Sequence, residues 1–179
     1  TVVVSCGTCF DQLQGYAFDQ IFPGCRIVDI HEYLLDKGIT LPAGEGDGYL
    51  YHDPCHTPMK QREPIQTVRA LVGNNVIQSE RCCGESGTLG VTRPDISTQV
   101  RFRKEEQLRK DTAALNAQRP AGQAAPRTTK ILTSCPSCLQ GLSRFRDDLK
   151  QDGHGLLEAD YIVVEMARKI LGEQWMPAY

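Results

Sequence analysis

Short aliphatic or β-branched runs alternate along this chain with stretches whose apolar residues recur every three or four positions. Thr1-Val2-Val3-Val4 predicts a buried strand, and the spacing of Leu13, Ala17 and Ile21 predicts a helix reaching about Phe22, where Pro23-Gly24 stops it. Arg26 to Ile30 predicts a second strand. Glu32 to Lys37 predicts a helix of about two turns with Gly38 as its C-terminal cap. After a glycine-rich loop, Gly48-Tyr49-Leu50-Tyr51-His52 predicts a strand that runs into Asp53-Pro54-Cys55-His56. Pro64 to Val72 predicts a helix ending at Gly73, Asn74 to Ile77 a short extended piece, and Arg81 to Gly87 a tight loop. Pro94 to Ala117 has the residues of a long helix, and its thin amphipathicity predicts a surface position. Gln118 to Thr129 predicts a loop and Lys130 to Thr133 a strand. A helix then carries Leu142, Phe145 and Leu149 on one face, and a single last helix runs from Leu156 to Leu171.

This order predicts an α/β fold, a largely parallel sheet with flanking helices built from strand–CxxC–helix repeats. Thr1 to Phe10 aligns with Lys130 to Leu139: an apolar strand, Ser-Cys-x-x-Cys, then an apolar residue opening a helix. The shared grammar points to an internal duplication. Residues 1–48 are then expected to be the end of a first cysteine-rich repeat. Residues 49–179 would be a complete second repeat, the two packed as one globular unit. The chain starts inside an apolar run without an initiator Met, so it is expected to be a piece of a longer protein.

Composition narrows the partners. With 20 basic and 22 acidic side chains the net charge is -2, which gives no electrostatic reason to expect nucleic acid or an anionic membrane surface. No apolar run has the length of a membrane span and no secretory signal opens the chain. A cytoplasmic location is expected, with at most peripheral membrane association. Arg101, Arg103, Lys104, Arg109 and Lys110 predict a solvated helix face; His31 and His154 are expected at the surface or in caps.

The unusual feature is eight cysteines, seven of them clustered as Cys6/Cys9, Cys55, Cys82/Cys83 and Cys135/Cys138. Disulfide scaffolds spread their cysteines along short, loop-rich chains, whereas tight clusters beside Gly, Pro and Ser fit metal ligands or redox thiols in a reducing compartment. Cys25 stands alone and is expected to be a small packing residue. Parallel α/β sheets place ligands at the carboxyl ends of their strands, and Cys6, Cys55 and Cys135 each follow a predicted strand. A CxxC at a helix N-terminus has its thiolate favoured by free backbone N–H groups and the helix dipole. Gly84 and Gly87 permit the bend that both adjacent cysteines need to serve one site. Five thiols exceed the four of tetrahedral zinc, while a polynuclear cluster can use more. Cys6, Cys9, Cys135 and Cys138 form the alternative, a four-thiolate zinc set. His52 and His56, which flank Cys55 within three residues, are candidate hydrogen-bond donors to the ligands, substitute ligands, or satisfied strand-end histidines.

His52-Asp53-Pro54-Cys55-His56, Cys82-Cys83-Gly84-Glu85-Ser86-Gly87 and Cys135-x-x-Cys138 together resemble the cysteine-rich CCG domain. That domain is found in heterodisulfide reductase and in the iron–sulfur components of glycolate, lactate and glycerol-3-phosphate oxidising enzymes, usually in two copies. The resemblance implies that Cys55, Cys82, Cys83, Cys135 and Cys138 ligate one 4Fe–4S-type centre, noncubane as in heterodisulfide reductase. Gly84, Glu85, Ser86, Gly87, His52 and His56 would line its pocket. Cys6 and Cys9 would be the remaining metal ligands of a first copy. Zinc, or no metal, is what some members hold instead. The implied function is an electron-transfer component of an oxidoreductase. FAD would sit in a missing domain or a flavoprotein subunit, and the partners would be that flavoprotein or upstream domains of the same polypeptide. A structural zinc module for assembly and a metal-free thiol–disulfide module are the rivals.

Overall fold

The computed structural model describes residues 1–42, 48–85, 88–118, 128–150 and 155–175. Its main sheet has four parallel strands in the order β4-β3-β5-β6: β3 (Tyr49–Tyr51), β4 (Val76–Gln78), β5 (Thr128–Thr133) and β6 (Leu156–Tyr161). Helices cover both faces, so the central strands are apolar on both sides, and Leu50, Ile131, Leu132 and Leu157 are sealed from solvent. The period-2 geometry of the strands then sorts residues into two cores. Tyr49, Tyr51 and Leu132 pack on one face with Val68 and Leu71 of α4 (Pro64–Val72) and with Ile162 and Met166 of α8 (Ile162–Leu171). Leu50, Ile131 and Leu157 pack on the other with Leu108 and Leu115 of α6 (Pro94–Ala117) and with Leu142 of α7 (Pro136–Ser143), followed by Phe145 and Leu149.

A second, two-stranded parallel sheet pairs β1 (Val2–Val4) with β2 (Ile27–Asp29). Between these strands lie α1 (Gly7–Gly15) and α2 (Phe18–Ile21). α3 (Ile30–Asp36) leaves β2 directly, capped by the Asp29 carboxylate, which accepts the backbone N–H groups of His31 and Glu32. Leu34 and Leu35 of α3 and nearby Leu41 close over the first core, joining the two sheets. α5 (Leu89–Thr92) is a single turn ahead of α6.

Four expectations change. The helix predicted to reach Phe22 breaks at Gly15, where Ala17 takes a left-handed backbone with φ 49. Glycine weakens the helix there, and Ile21 and Phe22 find no core to cover. The single last helix is β6 followed by α8. Leu157 and Ala159 alternate inward, and β5 offers an open edge over the whole register Thr128↔Leu156 to Thr133↔Tyr161, so tertiary pairing overrides local helix propensity. α6 is not merely a surface helix: Lys104, Leu108, Asp111, Thr112 and Leu115 form a narrow buried stripe. His31 is not at the surface, because Asp29 accepts its ring Nδ1 at 2.9 Å and both residues are buried. Cys25 lies partly exposed outside both cores, and His154 falls outside the described residues.

Candidate metal centre

The carboxyl ends of β3, β4 and β5 deliver the cysteines to one edge of the main sheet. Beyond β3 the chain crosses toward β5, with the His52 N–H donating to the Leu132 carbonyl at 2.9 Å. The end of β4 is held alongside by the Ser79 N–H donating to the Tyr51 carbonyl at 2.7 Å. Tyr51 donates its hydroxyl to Asp53 at 2.7 Å, fixing the turn before Pro54. Burial, with Asp53 and Asp29 close by, pushes the Tyr51 phenol well above its ordinary range, so it stays a donor. Cys55 follows, exposed.

The Cys82-Cys83 loop leaves β4 through Arg81, which has φ 67, and bends at Gly84, with φ 79. That left-handed conformation is why glycine suits the position. The Gly84 N–H donates to the Cys82 sulfur at 3.4 Å, and its carbonyl accepts the Ser97 hydroxyl of α6 at 2.8 Å. Glu85 is buried and paired with Arg144 at 3.0 Å. On the other side, Gly141 of α7 lets the loop come close: a Cβ there would lie 3.1 Å from the Cys83 carbonyl oxygen and 3.4 Å from the Cys83 Cβ.

Cys135 occupies the N-cap of α7, and Cys138 lies in its first turn. The sulfurs of Cys83 and Cys138 are 3.4 Å apart, and a ring nitrogen of His52 lies within 4.8 Å of both. All three are buried. Among the described residues this is the one group of three metal-capable side chains at that spacing, and Cys6 and Cys9 are not in it. Cys135 adjoins this group through Cys138, and Cys82 through Cys83, while Cys82 also feels the charge of Cys55.

The protons divide unevenly across these thiols. Cys83 is held far below the usual thiol range by hydrogen bonds from Cys138 and Cys82, with His52 and the Glu85 N–H adding to them. Cys82 and Cys138 are pushed well above it, chiefly by donating to their cysteine neighbours. Cys135 is lowered to about 6, first by Cys138 and then by the Cys138 and Ser137 backbone N–H groups at the helix terminus, which outweigh its burial. A depressed acid stabilises the fold above its unfolded value and loses that contribution as pH falls through its folded value. In the metal-free protein we therefore expect iodoacetamide labelling of Cys135, read by peptide mass spectrometry, to rise with a midpoint near pH 6, and stability to increase from about pH 6 toward the ordinary thiol value of 9.0. A labelling midpoint near 9 would rule out the combined lowering by the Cys138 thiol and the helix-terminal N–H groups.

The other predicted site residues lie beside this group. Cys6 caps α1, half-exposed, and Cys9 is exposed, its thiol raised by the hydrogen bond and charge of Cys6. The first turn of α1 is pressed against the loop after Cys55, since a Cβ on Gly7 would lie 1.7 Å from the His56 carbonyl oxygen. Asp11 of α1 pairs with Lys60 at 2.9 Å and with His56 Nδ1 at 3.4 Å, so the His56 ring faces Asp11 and solvent. Ser86 and Gly87 lie outside the described residues.

Two residues at this edge escape a reading of the sequence. Tyr161, at the end of the unpredicted strand β6, is raised first by burial and then by the thiol charges of Cys135, Cys6 and Cys138, within range of both CxxC motifs. Lys104, expected on a solvated face, is wholly buried, and its ammonium reaches the loops after β3 and β4. The signal for Lys104 was its phase, four residues before Leu108 and eleven before Leu115 on the buried stripe.

A family model described as "Cysteine-rich domain" matches residues 49–143, and one described as "Domain of unknown function (DUF3400)" matches residues 143–179. Among curated proteins, the chain is 30% identical over 161 residues to one component of the dihydromethanophenazine:CoB–CoM heterodisulfide reductase of Methanosarcina mazei, covering 82% of this chain and 34% of that protein. It is 26% identical over 137 residues to one component of the fumarate reductase (CoM/CoB) of Methanothermobacter marburgensis, covering 73% of this chain and 24% of that protein. It is 26% identical over 110 residues to an uncharacterized iron–sulfur protein of Methanococcus maripaludis, covering 58% of this chain and 22% of that protein. The chain thus spans between about a fifth and a third of the length of these relatives. No solved structure matches it.

Proposed function

Because this chain belongs to the cysteine-rich domain family, we propose that it is an electron-transfer module of an iron–sulfur oxidoreductase. Cys55, Cys82, Cys83, Cys135 and Cys138 would hold a 4Fe–4S-type, noncubane cluster. The observation that carries this reading is the convergence of Cys83, Cys138 and His52 at the carboxyl edge of the sheet, with Cys82, Cys135 and Cys55 adjoining. The donor set suits the group. Five soft thiols are more than tetrahedral zinc takes. His52 Nε2 is buried with no nitrogen or oxygen partner, and a bound sulfur would accept its proton. Gly141 keeps a side chain away from Cys83.

When bound, such a cluster carries electrons one at a time. The residues of this chain would hold it, exclude water from Cys83 and Cys138, and set its potential through the N–H donors around the sulfurs. Gly84, Glu85 and His52 would line its pocket, and Ser86, Gly87 and His56 are the further candidates the sequence offers for that lining. Electrons would come from FAD in another domain of the same polypeptide or in a flavoprotein subunit, or would pass on to a disulfide at this site. All eight cysteines are free thiols, which fits a reducing, cytoplasmic compartment. No described helix is long and apolar enough to cross a membrane. The 3.4 Å approach of Cys83 and Cys138 also supports a second reading, a metal-free dithiol that cycles with a disulfide.

Anaerobic reconstitution of the full chain with ferrous iron and sulfide separates the readings. The cluster predicts broad visible absorption and about four irons per chain. One zinc, no colour and no redox wave would sink the electron-transfer reading, and a reversible disulfide without metal would favour the second.

A further inference from the structure

Lys104 is a long, cationic side chain with no exposure to solvent. Burying an ammonium is unfavourable unless hydrogen bonds or a counter-charge compensate it. Its Nζ donates to the Ser79 carbonyl and hydroxyl, both at 2.9 Å, to the Glu80 carbonyl at 2.6 Å and toward His52 Nδ1 at 3.3 Å. None of these acceptors is a carboxylate, so the hydrogen bonds satisfy the group and leave its charge unneutralised. Asp111, further along the same buried stripe, is engaged by Gln107 at 2.9 Å. Asp111 is the first anion acting on this ammonium, without a hydrogen bond to it, and the sulfurs of Cys83, Cys138 and Cys82 come next.

Its position is as specific as its charge. The ammonium bridges the chain leaving β3, at His52, and the chain leaving β4, at Ser79 and Glu80. These are the two segments that lead to Cys55 and to Cys82-Cys83. Because an ammonium only donates, His52 Nδ1 in this contact is an acceptor, and the ring proton belongs on Nε2. Nε2 is the buried ring nitrogen with no nitrogen or oxygen partner, beside the Cys83 and Cys138 sulfurs. One residue on α6 thus sets the tautomer of the histidine next to the sulfurs and places a positive charge behind it.

We infer that Lys104 is the built-in counter-charge and positioning residue of the sulfur site, holding His52 as an Nε2–H donor to the thiolates and raising the reduction potential of the cluster they bind. This rests on the iron–sulfur reading above. Potentials of such clusters follow local charge and hydrogen bonds to sulfur, and a nearby cation favours the reduced, more negative state.

The test is the midpoint potential of the reconstituted full chain, measured by spectroelectrochemistry at pH 7 on wild type, Lys104→Met and Lys104→Gln. Wild type and both variants should bind the same iron. The neutral variants should shift the reduction equilibrium at least tenfold toward the oxidised form, which is ~59 mV lower for a one-electron couple. Ser79→Ala removes one oxygen from the ammonium but keeps the charge, and should leave the potential close to wild type. Gln retains a donor for the Ser79 and Glu80 carbonyls, so it carries the measurement if the Met variant does not fold by circular dichroism. Equal iron with an unchanged potential in a loaded neutral variant would overturn the role of Lys104 alone. A wild-type chain that takes up no iron would overturn the iron–sulfur reading itself, so the two failures are distinct.

Discussion

Cys138→Ala is expected to abolish cluster assembly, so that anaerobic reconstitution yields less than one iron per chain against about four for the wild type, with loss of the visible absorption. Cys138 joins the parts of the site. Its sulfur lies 3.4 Å from Cys83, it shares the group with His52, and it donates to Cys135 across the first turn of α7. Removing it leaves the sulfurs of the β4 loop and of the β5 end without a common neighbour. The fold should survive. Alanine is the best helix former, and the missing atom is one sulfur at the edge of a core otherwise filled by Leu142, Phe145 and Leu149. Thermal unfolding of the metal-free variant should stay within about 1–2 kcal/mol of wild type. Cys25→Ala, which alters a thiol outside both cores, is the control and should keep full iron. Full iron in Cys138→Ala would move the metal to other thiols.

Gly7→Ala is the most disruptive single methyl that the structure identifies. Its Cβ would fall 1.7 Å from the His56 carbonyl oxygen and 2.9 Å from the Thr57 carbonyl carbon, both backbone atoms that cannot rotate away. Overpacking of this kind costs about 1–3 kcal/mol and more where neither side can yield. We expect about 3 kcal/mol lost in urea unfolding, with α1 displaced from the loop after Cys55. Gly15→Ala, at the far end of the same helix, meets nothing within 4 Å and should be neutral or slightly stabilising. Equal stability for Gly7→Ala and wild type would show that α1 does not dock on this loop.

Legibility in the sequence followed how local each signal was. The bounds of α4 and α6 were plain, because Pro64 and Pro94 open them and a glycine or a proline-rich stretch follows. The strand ends were legible from their apolar runs, and with them the edge to which Cys55, Cys82, Cys83 and Cys135 come. β6 was not legible. Leu156 to Tyr161 becomes a strand because β5 has a free edge, a fact held in a distant part of the chain and not in the segment itself. Lys104 was misread for a related reason. A lysine among arginines and glutamates reads as solvated, and only the packing of α6 on the β3 and β4 ends shows that this one turn faces inward. The break at Ala17 was hidden because Leu13, Ala17 and Ile21 keep a helical period that no partner surface uses.

The 55-position separation of Cys83 and Cys138 also bears on the timing of synthesis. At ribosomal rates of about 5–20 residues per second, Cys82 and Cys83 leave the ribosome roughly 3–11 s before Cys138, and Cys55 earlier still. During that interval β3 lacks its neighbour β5, and three thiols stand without the partners that would enclose them. A metal captured then would be held by an incomplete set. Iron delivery to this chain is therefore best placed after translation, on a folded, reduced protein.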